Sequence, residues 1–178
     1  MDGDLKINSM SDDRFIAAAK EIKLLLTDVD GVLTDNGVYY SEAGEVMKRF
    51  SIRDGMGVER LRKLGGIETG IITGEMSPSV ARRAEKLVIR ELHLGVKDKL
   101  ACLSEIMGRL ELQWSEIAYI GDDVNDLEVM ERAGIAACPS DAMQPVIDMA
   151  DHICENRGGY GAFREFAEWL LHLKHLNI

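Results

Sequence analysis

The sequence is short of cysteine, proline and positive charge, and it has no long apolar run. Its three cysteines, Cys102, Cys138 and Cys154, are odd in number and lack metal-type spacing. They exclude a disulfide scaffold and read as reduced thiols of a cytoplasmic protein. Three prolines exclude a collagen-like chain. Lys and Arg number 21 against 31 Asp and Glu, a formal charge of −10. That deficit argues against nucleic acid and anionic membrane as partners, since both demand a basic footprint. A small anion remains compatible, because a local pocket can be basic on an acidic protein. No apolar run approaches the roughly 20 residues that span a bilayer. The opening MDGDLKINSM has neither a basic nor an apolar signal region, so no secretory signal is expected.

What is present suits one globular domain over residues 1–178. The chain is 46% hydrophobic and 29% charged. A chain of this size buries about 70% of its unfolded surface, enough for a core without staples. The first ten residues read as a loose tail, with Ser11 or Asp12 capping a short helix through Glu21. Then KLLLTDVD forms an unbroken aliphatic run ending in carboxylates, the habit of a strand buried on both faces. Similar runs are IETGIITG (67–74), IAYIGDD (117–123) and IAAC (135–138). Helical patterns cover 54–64, 98–110, 125–133 and 162–176, and Ser77-Pro78 opens another as N-cap and first helical residue. This alternation predicts an α/β fold with a doubly wound, Rossmann-like parallel sheet. One segment interrupts it. VYYSEAGEVMKRF, residues 38–50, reads as a β-hairpin flap around an Ala-Gly turn, just after the first strand.

The carboxylates gather at the carboxyl ends of the predicted strands, the edge where open α/β sheets bind ligands. Asp28 and Asp30 end the first strand, and Asp122 and Asp123 the third, with Asp126 one helical turn on. Thr73 and Gly74 end the second, and Lys99 begins a helix. Carboxylates converging on one edge repel each other unless a divalent cation neutralises them, and all-oxygen ligands suit Mg²⁺. With the cation in place, one aspartate can attack phosphorus and form an aspartyl-phosphate. A second, two residues on along an extended strand end, can protonate the leaving alcohol and then activate water. Thr73 and Lys99 would hold the phosphoryl oxygens. Lys97 is the alternative to Lys99. Asp123 could instead cap a helix, and Asp35 reads as a turn residue of the flap. The four scattered histidines read as surface or core residues.

DVDGVLTD (28–35), IITG (71–74), Lys99 and GDDVND (121–126) resemble the four motifs of the haloacid dehalogenase-like phosphohydrolases. The resemblance implies Asp28 as nucleophile and Asp30 as acid/base. It implies Mg²⁺ held by Asp28, the backbone carbonyl of Asp30 and Asp122, with Asp123 or Asp126 in support through water. Phosphate would be held by Thr73, Gly74 and Lys99. The gaps from Asp28 to Thr73 and from Thr73 to Lys99 leave no room for a separate cap domain. NGVYYSEAGEVMKRFSIRDGMGV, GDDVNDLEVMERAGIAACPSDA and NRGGYGAFREFAEWLL resemble a capless branch, the phosphatases of 3-deoxy-D-manno-octulosonate (KDO) 8-phosphate and of sialic-acid-type nonulosonate 9-phosphates. That branch implies a homotetramer, with the hairpins packed centrally and a tail, here about 155–161, reaching a neighbour's site. The tail and the last helix together span 155–178.

A sugar-acid phosphate also carries a carboxylate, which calls for a fixed cation. Arg53, Arg82, Lys86 and Arg157 are the candidates. Many octulosonate phosphatases have Arg where this chain has Glu75, and GGRG where it has GGYG. Glu75 with RRAEK (82–86) tilts the expected sugar toward a nonulosonate 9-phosphate. Two other functions stay open on the residues, a receiver-like phospho-aspartate switch and a non-catalytic assembly domain. The order of the acidic motifs and the intact acidic set favour the hydrolase.

Overall fold

The computed structural model describes residues 9–175. Helix α1 (Ser9–Glu21) leads into strand β1 (Leu24–Thr27). The hairpin follows as β2 (Val38–Ser41) and β3 (Gly44–Lys48), then α2 (Ile52–Arg60) and β4 (Glu68–Ile72). Next come α3 (Pro78–Leu87), β5 (Glu91–His93), α4 (Lys99–Leu110) and β6 (Ile117–Ile120). The chain ends with α5 (Leu127–Met130), β7 (Ile135–Cys138), α6 (Gln144–Met149), β8 (His152–Ile153) and α7 (Ala162–His175).

Six strands form one sheet in the order β5-β4-β1-β6-β7-β8, with every pairing parallel. The expected Rossmann-like sheet is therefore present, and its central strands β1, β6 and β7 are buried along their whole length because both faces are covered. Leu25, Ile71, Ala118 and Ile135 pack on one face with Phe163, Phe166 and Leu170 of α7. Leu24, Leu26, Ile72 and Tyr119 pack on the other with Leu103 and Ile106 of α4. The chain winds outward from β1 to β4 and β5, then restarts at β6 and winds the other way. A crevice therefore opens at the carboxyl ends of β1 and β6.

Several expected boundaries move. Helix α1 is already under way at Ser9, so Ser11 and Asp12 lie inside its first turn rather than capping it. Residues 1–8 of the expected tail lie outside the described residues. Ser51 caps α2 by accepting from the amides of Arg53 and Asp54, which starts that helix two residues early. Its end runs on as a π-type turn, Leu61–Gly65, closed by left-handed Gly66. The hairpin turns at Glu42-Ala43, since Ser41 pairs with Gly44. Gly44 opens β3 at φ +106. Helix α6 and strand β8 had no periodic signal in the sequence, being only six and two residues long.

The glycine segment 158–161 does not extend away from the molecule. A Cβ on Gly158 would lie 1.8 Å from the carbonyl oxygen of Gly31, and one on Gly159 would lie 2.5 Å from the amide of Asp35. The Gly159 amide donates to Val32 O at 2.9 Å. Two stretches of backbone can approach this closely only without side chains between them. Gly158 and Gly159 are thus seated on the chain's own 31–35 loop.

Candidate active site

Strand β1 ends at Thr27, and the backbone turns at once. The carbonyl of Val29 accepts from the amides of Val32, Leu33 and Thr34 at 3.2, 2.9 and 3.0 Å. Asp30 therefore sits in a tight turn rather than on an extended strand end. Gly31 adopts φ +85, and a Cβ there would lie 1.9 Å from Oδ2 of Asp122. Only glycine lets the two acidic loops close on each other.

The carboxylates of Asp28, Asp122 and Asp126 offer ligand atoms within 4.8 Å of one another. All three are buried. Asp28, Asp30, Thr73, Gly74, Glu75, Asp122 and Asp123 share one cleft of about 190 Å³ with Asn36 and Asn125. The structure thus brings together the residues singled out from the two acidic motifs and the Thr-Gly motif. Lys99 lies beneath them. Asp98 caps α4 through the amide of Ala101 at 2.8 Å, which fixes Lys99 at the first helical position. Its Nζ lies 3.0 Å from Asp28 Oδ1 and 2.6 Å from Asp126 Oδ1. Lys97 is exposed, so Lys99 is the lysine that reaches the cluster. Thr73 is buried, and its hydroxyl accepts from the amide of Glu75 at 3.3 Å.

Asp126 is held firmly in place. Its Oδ1 accepts from Lys99 and from the Tyr119 hydroxyl at 2.5 Å, and its Oδ2 from the amides of Asp122 and Asp123 at 3.1 and 3.4 Å. Asp126 organises the loop and holds Lys99. Asp123 accepts from the Val124 amide at 2.6 Å and caps the short turn that follows. Asp35 is the turn residue expected, accepting from the Gly37 amide at 3.2 Å.

Electrostatics single out two groups. Burial, reinforced by the charge of Asp126 and opposed by Lys99, pushes Asp28 up to about 7. Burial and the charge of Asp28 push Asp122 up to about 7 as well. Burial opposes the charge on Lys99, but Asp28 and Asp126 together outweigh it and raise its pKa. Asp122 Oδ1 is buried and has no hydrogen-bond partner among the described residues. Its Oδ2 accepts from Asn36 Nδ2 at 3.3 Å. An orphaned carboxylate oxygen beside a second buried carboxylate fits a divalent cation held by oxygen.

The expected cations for a substrate carboxylate do not line this cleft. Arg157 pairs with Asp141 at 3.0 Å, and Arg82 pairs with Glu85 at 2.9 Å. Lys86 is exposed on α3. Arg53 lines a different groove with Arg49, Phe50 and Tyr160. Sequence reasoning missed Asn36, Lys48 and Tyr119. Tyr119 had a readable signal, a phenol inside an aliphatic strand that needs a buried partner. Lys48 had none, because nothing local tells that a hairpin lysine turns inward. A further His152, Cys154 and Glu165 group is structural. Glu165 caps the amides of Glu155 and Asn156, and His152 stacks on Trp169 at 4.4 Å.

Comparison with known proteins agrees with this geometry. The family model described as haloacid dehalogenase-like hydrolase matches residues 80–161. The 3-deoxy-D-manno-octulosonate 8-phosphate phosphatase of Escherichia coli (strain K12) is 40% identical over 156 residues, 88% of this chain and 82% of that protein. The crystal structure of the Moraxella catarrhalis enzyme of that name, in complex with magnesium ion, phosphate ion and KDO, superposes with TM-score 0.86. It is 37% identical and covers 91% of this chain and 92% of that one. A cobalt-bound structure of the Haemophilus influenzae phosphatase gives TM-score 0.85 at 35% identity, over 88% and 91% of the two chains. With the four motifs gathered at one sheet edge and this likeness over most of its length, the chain belongs to the haloacid dehalogenase-like hydrolases and is a phosphoric monoester hydrolase.

Proposed function

We propose that the chain is a Mg²⁺-dependent phosphatase of an eight- or nine-carbon 2-keto-3-deoxy sugar acid, working through an aspartyl-phosphate on Asp28. The observation that carries this reading is the orphaned Asp122 oxygen beside Asp28, with Lys99 directly beneath. Asp28, the main-chain carbonyl of Asp30 and Asp122 would hold Mg²⁺. When bound, the cation neutralises the carboxylates and the phosphoryl charge.

The protein groups then divide the work. Asp28 attacks phosphorus, and its O–P bond forms as the ester bond breaks. Asp30 gives its proton to the departing sugar oxygen, then takes one from the water that attacks the aspartyl-phosphate. That second attack breaks the Asp28–phosphorus bond and frees phosphate. Thr73, Gly74 and Lys99 hold phosphoryl oxygens, and Lys99 offsets negative charge in the transition state.

The names of the relatives support KDO 8-phosphate as substrate. Glu75 in the cleft supports the nonulosonate 9-phosphate instead, since it would accept from sugar hydroxyls but repel a nearby carboxylate. A phosphate-release panel containing both esters tests this. Turnover of neither by the Mg²⁺-loaded protein removes the substrate reading, and wild-type turnover by Asp28→Asn removes the mechanism.

The whole chain would act as one domain, with 38–50 as its flap and the glycine segment as a buttress of the 31–35 loop. A homotetramer belongs to the same proposal. Val38, Tyr39, Tyr40, Val46 and Met47 are 36–71% exposed on the hairpin, an apolar surface suited to packing against other copies. Light scattering of a Tyr40→Lys, Met47→Lys variant would then report smaller species, and an unchanged mass would remove this interface. A cytoplasmic location is supported by three unpaired cysteines.

A further inference from the structure

We infer that Lys48, the last residue of the flap strand β3, is a positioning residue for Asp30, so that the docked flap is part of the proton-transfer apparatus. The inference rests on the proposed acid/base role of Asp30.

Lys48 is an unusual residue to bury. Its side chain is 1% exposed, while the neighbouring β3 residues Val46 and Met47 face solvent. A buried ammonium is costly unless it is paired and hydrogen-bonded. Its Nζ lies 2.5 Å from Asp30 Oδ2 and 3.8 Å from Glu45 Oε2. The other oxygen of Asp30 lies 3.2 Å from the Thr34 hydroxyl. Both oxygens of the carboxyl group are thus engaged, one by the flap and one by its own turn.

The pairing has a chemical consequence. An ammonium only donates, so Oδ2 must remain an acceptor while Lys48 is in place. The proton of the acid form then belongs on Oδ1, where the Thr34 hydroxyl can turn its single hydrogen to the Val29 carbonyl at 3.3 Å. Lys48 thereby selects the oxygen that delivers the proton and fixes the carboxyl plane. A general acid works only with its proton within hydrogen-bond reach of the leaving atom.

The flap is anchored on the far side as well. Glu45 accepts from Ser77, the N-cap of α3 just beyond the Thr73-Gly74 loop. Ser77, Glu45, Lys48 and Asp30 form a continuous strut between the two motif loops. The flap thus holds the acid/base in register with the loop that faces the phosphoryl group.

The test uses leaving-group dependence, which a merely structural defect would not change. Mg²⁺-loaded protein is assayed for kcat/KM on p-nitrophenyl phosphate and on phenyl phosphate. The first ester has a leaving group that needs little protonation, and the second needs more. General acids contribute about 10²–10⁴-fold, so loss of their alignment should lower the phenyl to p-nitrophenyl ratio by at least ~10-fold. Lys48→Met and Lys48→Gln are expected to show this drop, and Lys48→Arg to restore most of the ratio. Asp30→Asn is the control. If Asp30→Asn leaves the ratio unchanged, Asp30 is not the acid, and the reading and the inference fall together. If Asp30→Asn lowers the ratio but both Lys48 variants lower the two esters equally, Lys48 is structural and the inference alone is overturned. The burst of p-nitrophenolate released as Asp28 is phosphorylated reports in each case that fold and metal site have survived, since it precedes the step in which Asp30 acts as base.

Discussion

The acidic cluster should cost the protein stability whenever no cation fills it, and Asp122→Asn should reveal how much. In the folded chain Asp122 is pushed from 3.8 to about 7, by burial first and then by Asp28. Below the unfolded value the group is protonated in both states and costs nothing. Between the two values the unfolded state ionises while the folded state keeps its proton, so stability falls as pH rises. Above about 7 the full penalty is present. The gap between 3.8 and about 7 corresponds to an upper bound of about 4 kcal/mol. Asparagine has the shape of the protonated acid without the charge. In chelator at pH 8, Asp122→Asn should therefore be more stable than wild type by up to about 4 kcal/mol, or roughly 10 °C in Tm. At pH 5 the difference should shrink to about 2 kcal/mol, and it should vanish near pH 4. Added Mg²⁺ should close most of the gap at pH 8. At a hundredfold excess over Kd it stabilises the wild type by about 3 kcal/mol, and the variant by little. Urea denaturation at the three pH values, with and without Mg²⁺, reads all of this. The same difference at pH 5 and pH 8, or a less stable variant at pH 8, would refute the reasoning.

Other perturbations probe other parts of the site. Asp30→Asn should lower kcat/KM for a sugar phosphate by about 10²–10⁴-fold and also lower the thermal midpoint, because it leaves the buried Lys48 ammonium without its carboxylate. Tyr119→Phe removes the 2.5 Å donor to buried Asp126; denaturant titration should show a loss of about 1–3 kcal/mol. Gly158→Ala places a methyl group 1.8 Å from the Gly31 carbonyl, which should cost about 1–3 kcal/mol or more and lower turnover with it. Calorimetry and steady-state assays on the same sample would test that coupling, and a stable, fully active variant would contradict it.

Much of the site was legible because its chemistry is local in sequence. DVDGVLTD and GDDVND each end a buried aliphatic run, and β1 and β6 are neighbours at the point where the winding reverses. Carboxylates in those two positions must meet. Asp126 was legible as a member but not in its role. Only the packed structure shows both its oxygens consumed, by Lys99, Tyr119 and two amides. The positions of the proposed substrate-carboxylate cations were also not legible from the chain. Arg157 meets Asp141, 16 residues away, only in the fold, whereas the Arg82–Glu85 pair is local to α3.

The sequence by itself determined the strand–helix alternation, the acidic edge and the placement of Thr73, because hydrophobic runs and their punctuation act over a few residues. Tertiary structure alone decided what those residues touch. It turned Lys48 inward to Asp30 across 18 positions and set the Gly158-Gly159 backbone on the Gly31 turn. It also left one oxygen of Asp122 without a partner among the described residues. Such contacts join segments distant in the chain, and their energy comes from burial and close approach, which no local pattern encodes.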